Sequence, residues 1–394
     1  VTRILNRISY GCGLFLFALL TMMTISCASL SNKDPRRELT LENSWSRSTL
    51  NKDFLGFRRL HRMAPLILDD KIIQGNAIDG IATFNRKTGS EIWRLNLRNG
   101  VEGGAQVAGD KLYFGSSDGL FYCVNVADGK VLWTFQAKAE TLAAPTIDGG
   151  TVYFETGVDT VYALDAVTGK QIWFYNRQVT TSLSIRGSTK PTVTADSVYV
   201  GFSDGFIVSL KRRDGSLQWE RKVGRGNRFK DVDATPVIDG TTLYVASFDG
   251  TLYALKMESG DIVWSVDQGA YVPVTLGQDR FSDRLYYSTA GSAILVLDKH
   301  TGKLLKSIPV QHGIPTQVSI YKGFIVYGES EGSLIVADQE SGAVAAHFDP
   351  GHGLVARPTV LEPSGEAYFI SNGANLYGMK LSLTRHADRL PWEK

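Results

Sequence analysis

The phrase Val161-Tyr162-Ala163-Leu164-Asp165-Ala166-Val167-Thr168-Gly169-Lys170-Gln171-Ile172-Trp173 returns along nearly the whole chain, and this repetition limits the possible folds more than any other feature. Its closing Trp has counterparts at Trp93, Trp133, Trp219 and Trp264, while Lys306 and Ala346 hold the equivalent places in two later copies. A period of about 40 to 46 residues belongs to solenoids, propellers or arrays. Each copy alternates with period two. Val161 and Ala163 face one way and Tyr162 and Leu164 the other, Thr168-Gly169 supplies a tight turn, and Ile172-Trp173 begins another strand. Reading outwards adds two shorter strands at 144–147 and 151–154, so each repeat is predicted to be four antiparallel strands, one propeller blade.

Two columns count the blades. The small residue at Ala163 is matched by Thr83, Cys123, Ser209, Ala254, Val296, Val336 and Gly378, as close stacking of twisted sheets demands, and gives eight copies. The turn glycine recurs as Gly89, Gly129, Gly169, Gly215, Gly260, Gly302 and Gly342, seven copies at a place where a left-handed backbone suits Gly. The last copy, 356–381, supplies three strands and lacks a fourth. Trp45, in Asn43-Ser44-Trp45-Ser46-Arg47, reads as a fourth strand without its first three. Joining the two fragments gives an all-β, eight-bladed β-propeller of four-stranded antiparallel blades, closed by pairing an N-terminal strand with the C-terminal three, which leaves no exposed flank. Trp45, Trp93, Trp133, Trp173, Trp219 and Trp264 are expected to wedge between blades, each burying on the order of 200 Å². The copies at Lys306 and Ala346 should pack less tightly for want of an indole.

The chain carries 42 Lys and Arg against 40 Asp and Glu, a net charge of +2, which suggests no nucleic acid or acidic polymer as partner. Residues 1–26 read as a signal peptide: Arg3 and Arg7 precede an apolar run at 13–22, and Thr24-Ile25-Ser26 leads to Cys27. This ending resembles the bacterial lipobox, with Thr24 departing from the usual Leu, so the resemblance implies lipidation of Cys27 and a membrane anchor. Ala28 favours the outer membrane by the lipoprotein sorting pattern. Residues 27–40 read as a polar tether and 41–394 as a single propeller domain. With Cys12 in the signal and Cys27 at the lipid site, Cys123 stands alone in the folded part, a buried thiol in place of Ala, and no disulfide framework is possible.

The Ala-Leu-Asp-x-x-Thr-Gly-Lys-x-x-Trp phrase resembles the repeat of quinoprotein (PQQ-dependent) alcohol dehydrogenases, which is shared by binding proteins that carry no quinone. A lipobox, a short tether and eight such blades resemble the BamB family, outer-membrane lipoproteins of the β-barrel assembly machinery. Leu183-Ser184-Ile185-Arg186-Gly187 and Asp231-Val232-Asp233-Ala234-Thr235-Pro236 are similar to two segments that carry that family's contact with BamA, with Ile185 a mild departure from Leu. The resemblance implies a BamA-docking patch at Leu183, Ile185, Arg186, Asp231 and Asp233. It also implies association with the other assembly-machinery lipoproteins and a place on the periplasmic face of the outer membrane. The longer spacings, from Trp173 to Trp219 and from Trp219 to Trp264, point to the same loops, which consecutive blades set side by side on one face.

A dehydrogenase of this repeat class is typically longer and brings a vicinal disulfide, which Cys123 alone cannot form; no Gly-x-Ser-x-Gly, phosphate loop or metal-spaced His cluster appears, so no cofactor, metal or catalytic residue is expected. A shared calcium at Asp231 and Asp233 lacks the remaining oxygen-rich spacing. A generic envelope scaffold would pair passing chains, such as nascent outer-membrane proteins, with its blade edges. Arg221, Lys222, Arg225, Arg228 and Lys230 read as a solvated basic loop, and Arg47, Lys52, Arg58 and Arg59 as a second basic segment.

Overall fold

The protein is described by a computed structural model covering residues 37–51, 60–177, 189–224, 230–248 and 250–385. Residues 1–36, with Cys27, the signal segment and most of the tether, and Leu183, Ile185, Arg186, Arg225, Arg228, Lys52, Arg58, Arg59 and Trp392 lie outside the described residues. Thr40–Ser382 forms one compact unit. Eight four-stranded antiparallel sheets follow one another around it. The first blade is Leu66–Leu68, Lys71–Asn76, Gly80–Asn85 and Glu91–Asn96, and blades two to seven repeat it in chain order. The eighth is composite: Thr359–Leu361, Glu366–Ile370 and Asn375–Arg385 are completed by Arg37–Ser48.

Burial explains the strand order within a blade. The second and third strands are almost wholly buried, as in Thr151–Thr156 and Thr160–Asp165. The fourth, Gln171–Asn176, buries little besides Trp173. The turn before it is built by Asp165, whose carboxylate accepts from the Val167 and Thr168 amides and the Thr168 hydroxyl. Those donors hold its pKa below the ordinary value. A bulge then follows the small column in all seven contiguous blades, between Ala163 and Leu164 in the third.

The two sequence columns acquire a joint explanation. Tyr153, Ala163 and Trp173 lie in one row across the sheet, and the two rings lean over the small residue to a centroid distance of 5.9 Å. Tyr199 and Trp219 repeat this across Ser209, and Tyr244 and Trp264 across Ala254. Small size is therefore required within a blade as well as between blades. Cys123 fills this place between Tyr113 and Trp133, fully buried, and burial pushes its thiol up to about 11.

Each indole then reaches the next blade. Trp173 Nε1 donates to the Arg212 carbonyl at 2.9 Å, Trp219 to Met257 at 3.2 Å and Trp264 to Lys299 at 3.2 Å. Turn glycines meet these indoles: at Gly215, with φ +71°, a Cβ would overlap the Trp173 ring. The column thus demands Gly twice, for its backbone and for its missing side chain. Lys306 keeps part of the role, its ammonium donating to the Glu340 carbonyl at 2.5 Å while Ile308 packs on Gly342.

Trp45 closes the ring as expected. It packs on Tyr368 at 6.1 Å, lies where a side chain at Gly378 would be, and donates to the Arg86 carbonyl of the first blade at 3.1 Å. At five of the eight junctions an inner hydroxyl contact accompanies the outer one. Thr146 donates to the Pro191 carbonyl, Thr192 to Pro236, Thr275 to Val318 and Ser319 to Pro358, and Thr359 joins the eighth blade to Pro65 at 2.7 Å. The sequence reading missed these contacts, although a Thr or Ser heads most innermost strands.

Candidate functional site

The connectors that leave the third and fourth blades, from Asn176 to Thr192 and from Lys222 to Val237, begin and end on the face that also carries the turns between second and third strands; their residues 178–188 and 225–229 lie outside the described residues. The first is anchored at its start by Arg177. The guanidinium pairs with Asp204 at 2.5 Å and Glu220 at 2.7 Å and lies over the Phe206 ring at 4.4 Å. Burial alone would weaken its charge, but bonds to Glu220 and Asp204 outweigh burial and raise its pKa. At the far end the Thr189 amide donates to Glu155 Oε2, and the Thr189 hydroxyl bridges the Gly201 and Val232 carbonyls at 3.1 and 2.5 Å. The two connectors are therefore bonded to each other.

The second connector is pinned from below. Val223 and Gly224 both donate to the Gly205 carbonyl, Val232 donates to Phe202, and Phe248 donates to Asp231. Val232 is fully buried in an apolar cluster with Tyr199, Val223, Leu243 and Tyr253. The carboxylates on either side of it are buried to different extents. Asp231 is fully buried, while Asp233 is half-buried. Among the described residues no cluster of His, Cys, Asp and Glu is arranged to hold a metal ion.

Carboxylates converge beneath the connectors. Burial and the neighbouring Asp231 push Asp233 up to about 7, with the Arg62 guanidinium opposing the rise. Glu155, buried in the third blade, is raised well above its ordinary value by burial and by Asp159. Asp159 is raised by burial, although it accepts from the Ser203 amide and hydroxyl at 2.9 and 2.6 Å. Its backbone has φ +55° at a turn position filled by Gly119 and Gly205 in the flanking blades. Ser292 and Ala374 hold the same left-handed position in the sixth and eighth blades, so what distinguishes Asp159 is its carboxylate bonded to Ser203 and not its backbone. Sequence reading passed over Thr189, Glu155, Asp159 and Arg177, and the broken Asp-Gly turn at Val158-Asp159-Thr160 was the signal available.

Arg62 brings the far side of the ring into this constellation. It pairs with Glu102 at 3.7 Å and is near enough to influence both Asp233 and Tyr271. Of the second basic segment, Arg47 is exposed and donates to the Ser46 and Thr88 carbonyls. Arg221 pairs with Asp261 at 3.1 Å, consistent with a solvated role.

A closed eight-bladed ring with a turn Gly before the fourth strand of seven blades and an inter-blade Trp in six defines a β-propeller of the PQQ-like repeat class. The model of the family described as "Outer membrane protein assembly factor BamB" matches residues 79–282, and the chain belongs to that family. It is 32% identical over 370 residues to the outer membrane protein assembly factor BamB of Kangiella koreensis, covering 88% of this chain and 92% of that one. In fold it is similar to BamB from Moraxella catarrhalis, with a TM-score of 0.72, 22% identity and coverage of 86% and 100%. A quinohemoprotein alcohol dehydrogenase from Pseudomonas putida HK5 shares the fold at TM-score 0.71, with 13% identity and coverage of 89% and 78%.

Proposed function

We propose that the chain is a non-enzymatic lipoprotein scaffold, held at the periplasmic face of the outer membrane through Cys27, that docks a BamA-like barrel protein by its periplasmic domains. The docking surface is the joined pair of connectors carrying Leu183, Ile185, Arg186, Asp231 and Asp233. The observation that supports this reading is the bond from Thr189 to Val232, which ties the far end of the first connector to the second. In this scheme Asp233 meets the partner and the buried Asp231 holds the segment in shape. Leu183 and Ile185 supply the apolar centre that such contacts need, with charged groups setting orientation.

The reading is tested by tagging the full chain and recovering it from detergent-solubilised outer membranes. A large barrel protein with periplasmic repeat domains, together with further lipoproteins of the assembly machinery, is the expected companion set. Recovery of the chain alone from such membranes overturns it. Metabolic labelling with palmitate, compared between the native chain and Cys27→Ser, tests the anchor separately. An enzyme of the related dehydrogenase class would instead reduce a dye in the presence of an alcohol after incubation with the quinone and calcium.

A second reading concerns clients. The outer strands expose Ile92, Leu132, Ile172, Phe174, Val263 and Leu305, apolar side chains beside an unpaired strand edge. Such edges accept extended chains by strand addition, which suits nascent outer-membrane proteins.

A further inference from the structure

The central channel holds a second feature, independent of the connector face. Between the innermost strands of blades six, seven and eight lies a cavity of about 380 Å³. Its wall includes Thr275, Gln278, Ile320, Arg357, Val360 and Glu362. That volume falls in the range of small-molecule sites, about 300 to 1,000 Å³.

Arg357 is the unusual member. The residue before the Pro of an innermost strand is Ala64, Ala144 or Thr235 in other repeats, and a cation there occurs only at Lys190 and Arg357. Arg357 Nε donates to the Ser319 hydroxyl at 2.9 Å, and Ser319 in turn donates to Pro358, so the guanidinium is fixed from one edge. Its terminal amino groups make no ion pair among the described residues and remain solvent-reachable in the cavity. Glu362, the carboxylate in the wall, is engaged elsewhere, accepting from the Lys322 amide at 2.9 Å. The atoms packed around the guanidinium push its pKa below the ordinary value, although the residue as a whole is exposed to solvent. An oriented guanidinium with a free planar fork is matched to carboxylates, and phosphate shares that chemistry. Ile320, Val360 and Ala64 add an apolar wall beside it.

We infer that this cavity is a binding site for a small organic carboxylate, with Arg357 holding the carboxylate and Ile320 and Val360 bordering its apolar body. The hydroxyls of Thr275, Ser319 and Thr359 are committed to backbone carbonyls and shape the wall without serving as donors. The site neither uses nor adjoins the residues assigned to partner docking, so either assignment can fail alone.

The test is calorimetric titration of the full chain with benzoate, with inorganic phosphate and with uncharged benzamide. Benzoate is expected to bind and benzamide to bind at least about tenfold more weakly, the scale of losing a charge-assisted hydrogen bond. Arg357→Gln should lose benzoate by a similar factor, with recovery of the barrel protein unchanged. Gln278→Trp, which narrows the cavity without touching the guanidinium, should also lose benzoate and serves if Arg357→Gln does not fold. Absence of benzoate binding, binding retained in both variants, or binding of phosphate alone would overturn the assignment.

Discussion

The Thr189 hydroxyl lies 2.5 Å from the Val232 carbonyl and joins two connectors separated by a whole blade of sequence. This bond is fully buried. The contact ties the far end of the first connector to the second.

Replacing Thr189 by Val keeps the volume and removes the donor. The buried carbonyls of Val232 and Gly201 then lose a partner, a cost of about 1 to 3 kcal/mol. Urea denaturation should show a loss on that scale, and Thr189→Ser should recover most of it. Equal stability of the Val variant and the native chain would mean that the bond contributes nothing.

Asp233 makes stability depend on pH. Its folded pKa of about 7 lies above the ordinary 3.8, so between those values the native state holds more of the proton than the unfolded chain. Stability from this group therefore falls as pH rises from about 4 through 7, and the penalty is complete above 7. Asp233→Asn should gain stability over the native protein at pH 8 and lose that advantage at pH 4. A gap that is the same at both pH values contradicts the assigned environment.

Ring closure rests on Trp45. Trp45→Ala removes the packing on Tyr368 and Gly89 and the bond to Arg86, and should cost about 3 to 5 kcal/mol. Deleting residues 40–50 should cost more, since the edge strand goes with the indole. A truncated protein that melts like the full one would show that the eighth blade does not need its N-terminal strand.

The junctions without an indole should open sooner. Lys306 offers one hydrogen bond in place of a buried ring, and after Ala346 the contact passes to Phe348 against Phe369 and Tyr377. Amide exchange should be faster in Leu304–Pro309 and Val344–Phe348 than in Val131–Gln136 and Gln171–Asn176. Uniform protection around the ring would contradict this.

The blade number and the composite eighth blade were legible because each rests on repetition: Trp, Gly and small residues recur at fixed offsets. What recurs only in space was harder to read. The Tyr153 and Trp173 contact needs strand register, and the inner hydroxyl contacts need the neighbouring blade. In the site, Asp231 and Asp233 looked equivalent as two residues on an extended segment, yet Val232 anchors between them and leaves one buried. Glu155 gave no signal in sequence, because a carboxylate at the end of a buried strand is distinguished only by what folds over it.

The central claim is most directly tested by recovering the barrel protein from solubilised outer membranes with the native chain and with the Arg186→Ala, Asp233→Asn double variant, both checked for intact folding. A surface residue of this kind at the centre of a contact contributes about 2 kcal/mol or more, so the double variant should retain less than about one tenth of the partner. Full retention of the barrel protein by a folded double variant would contradict docking through the joined connectors.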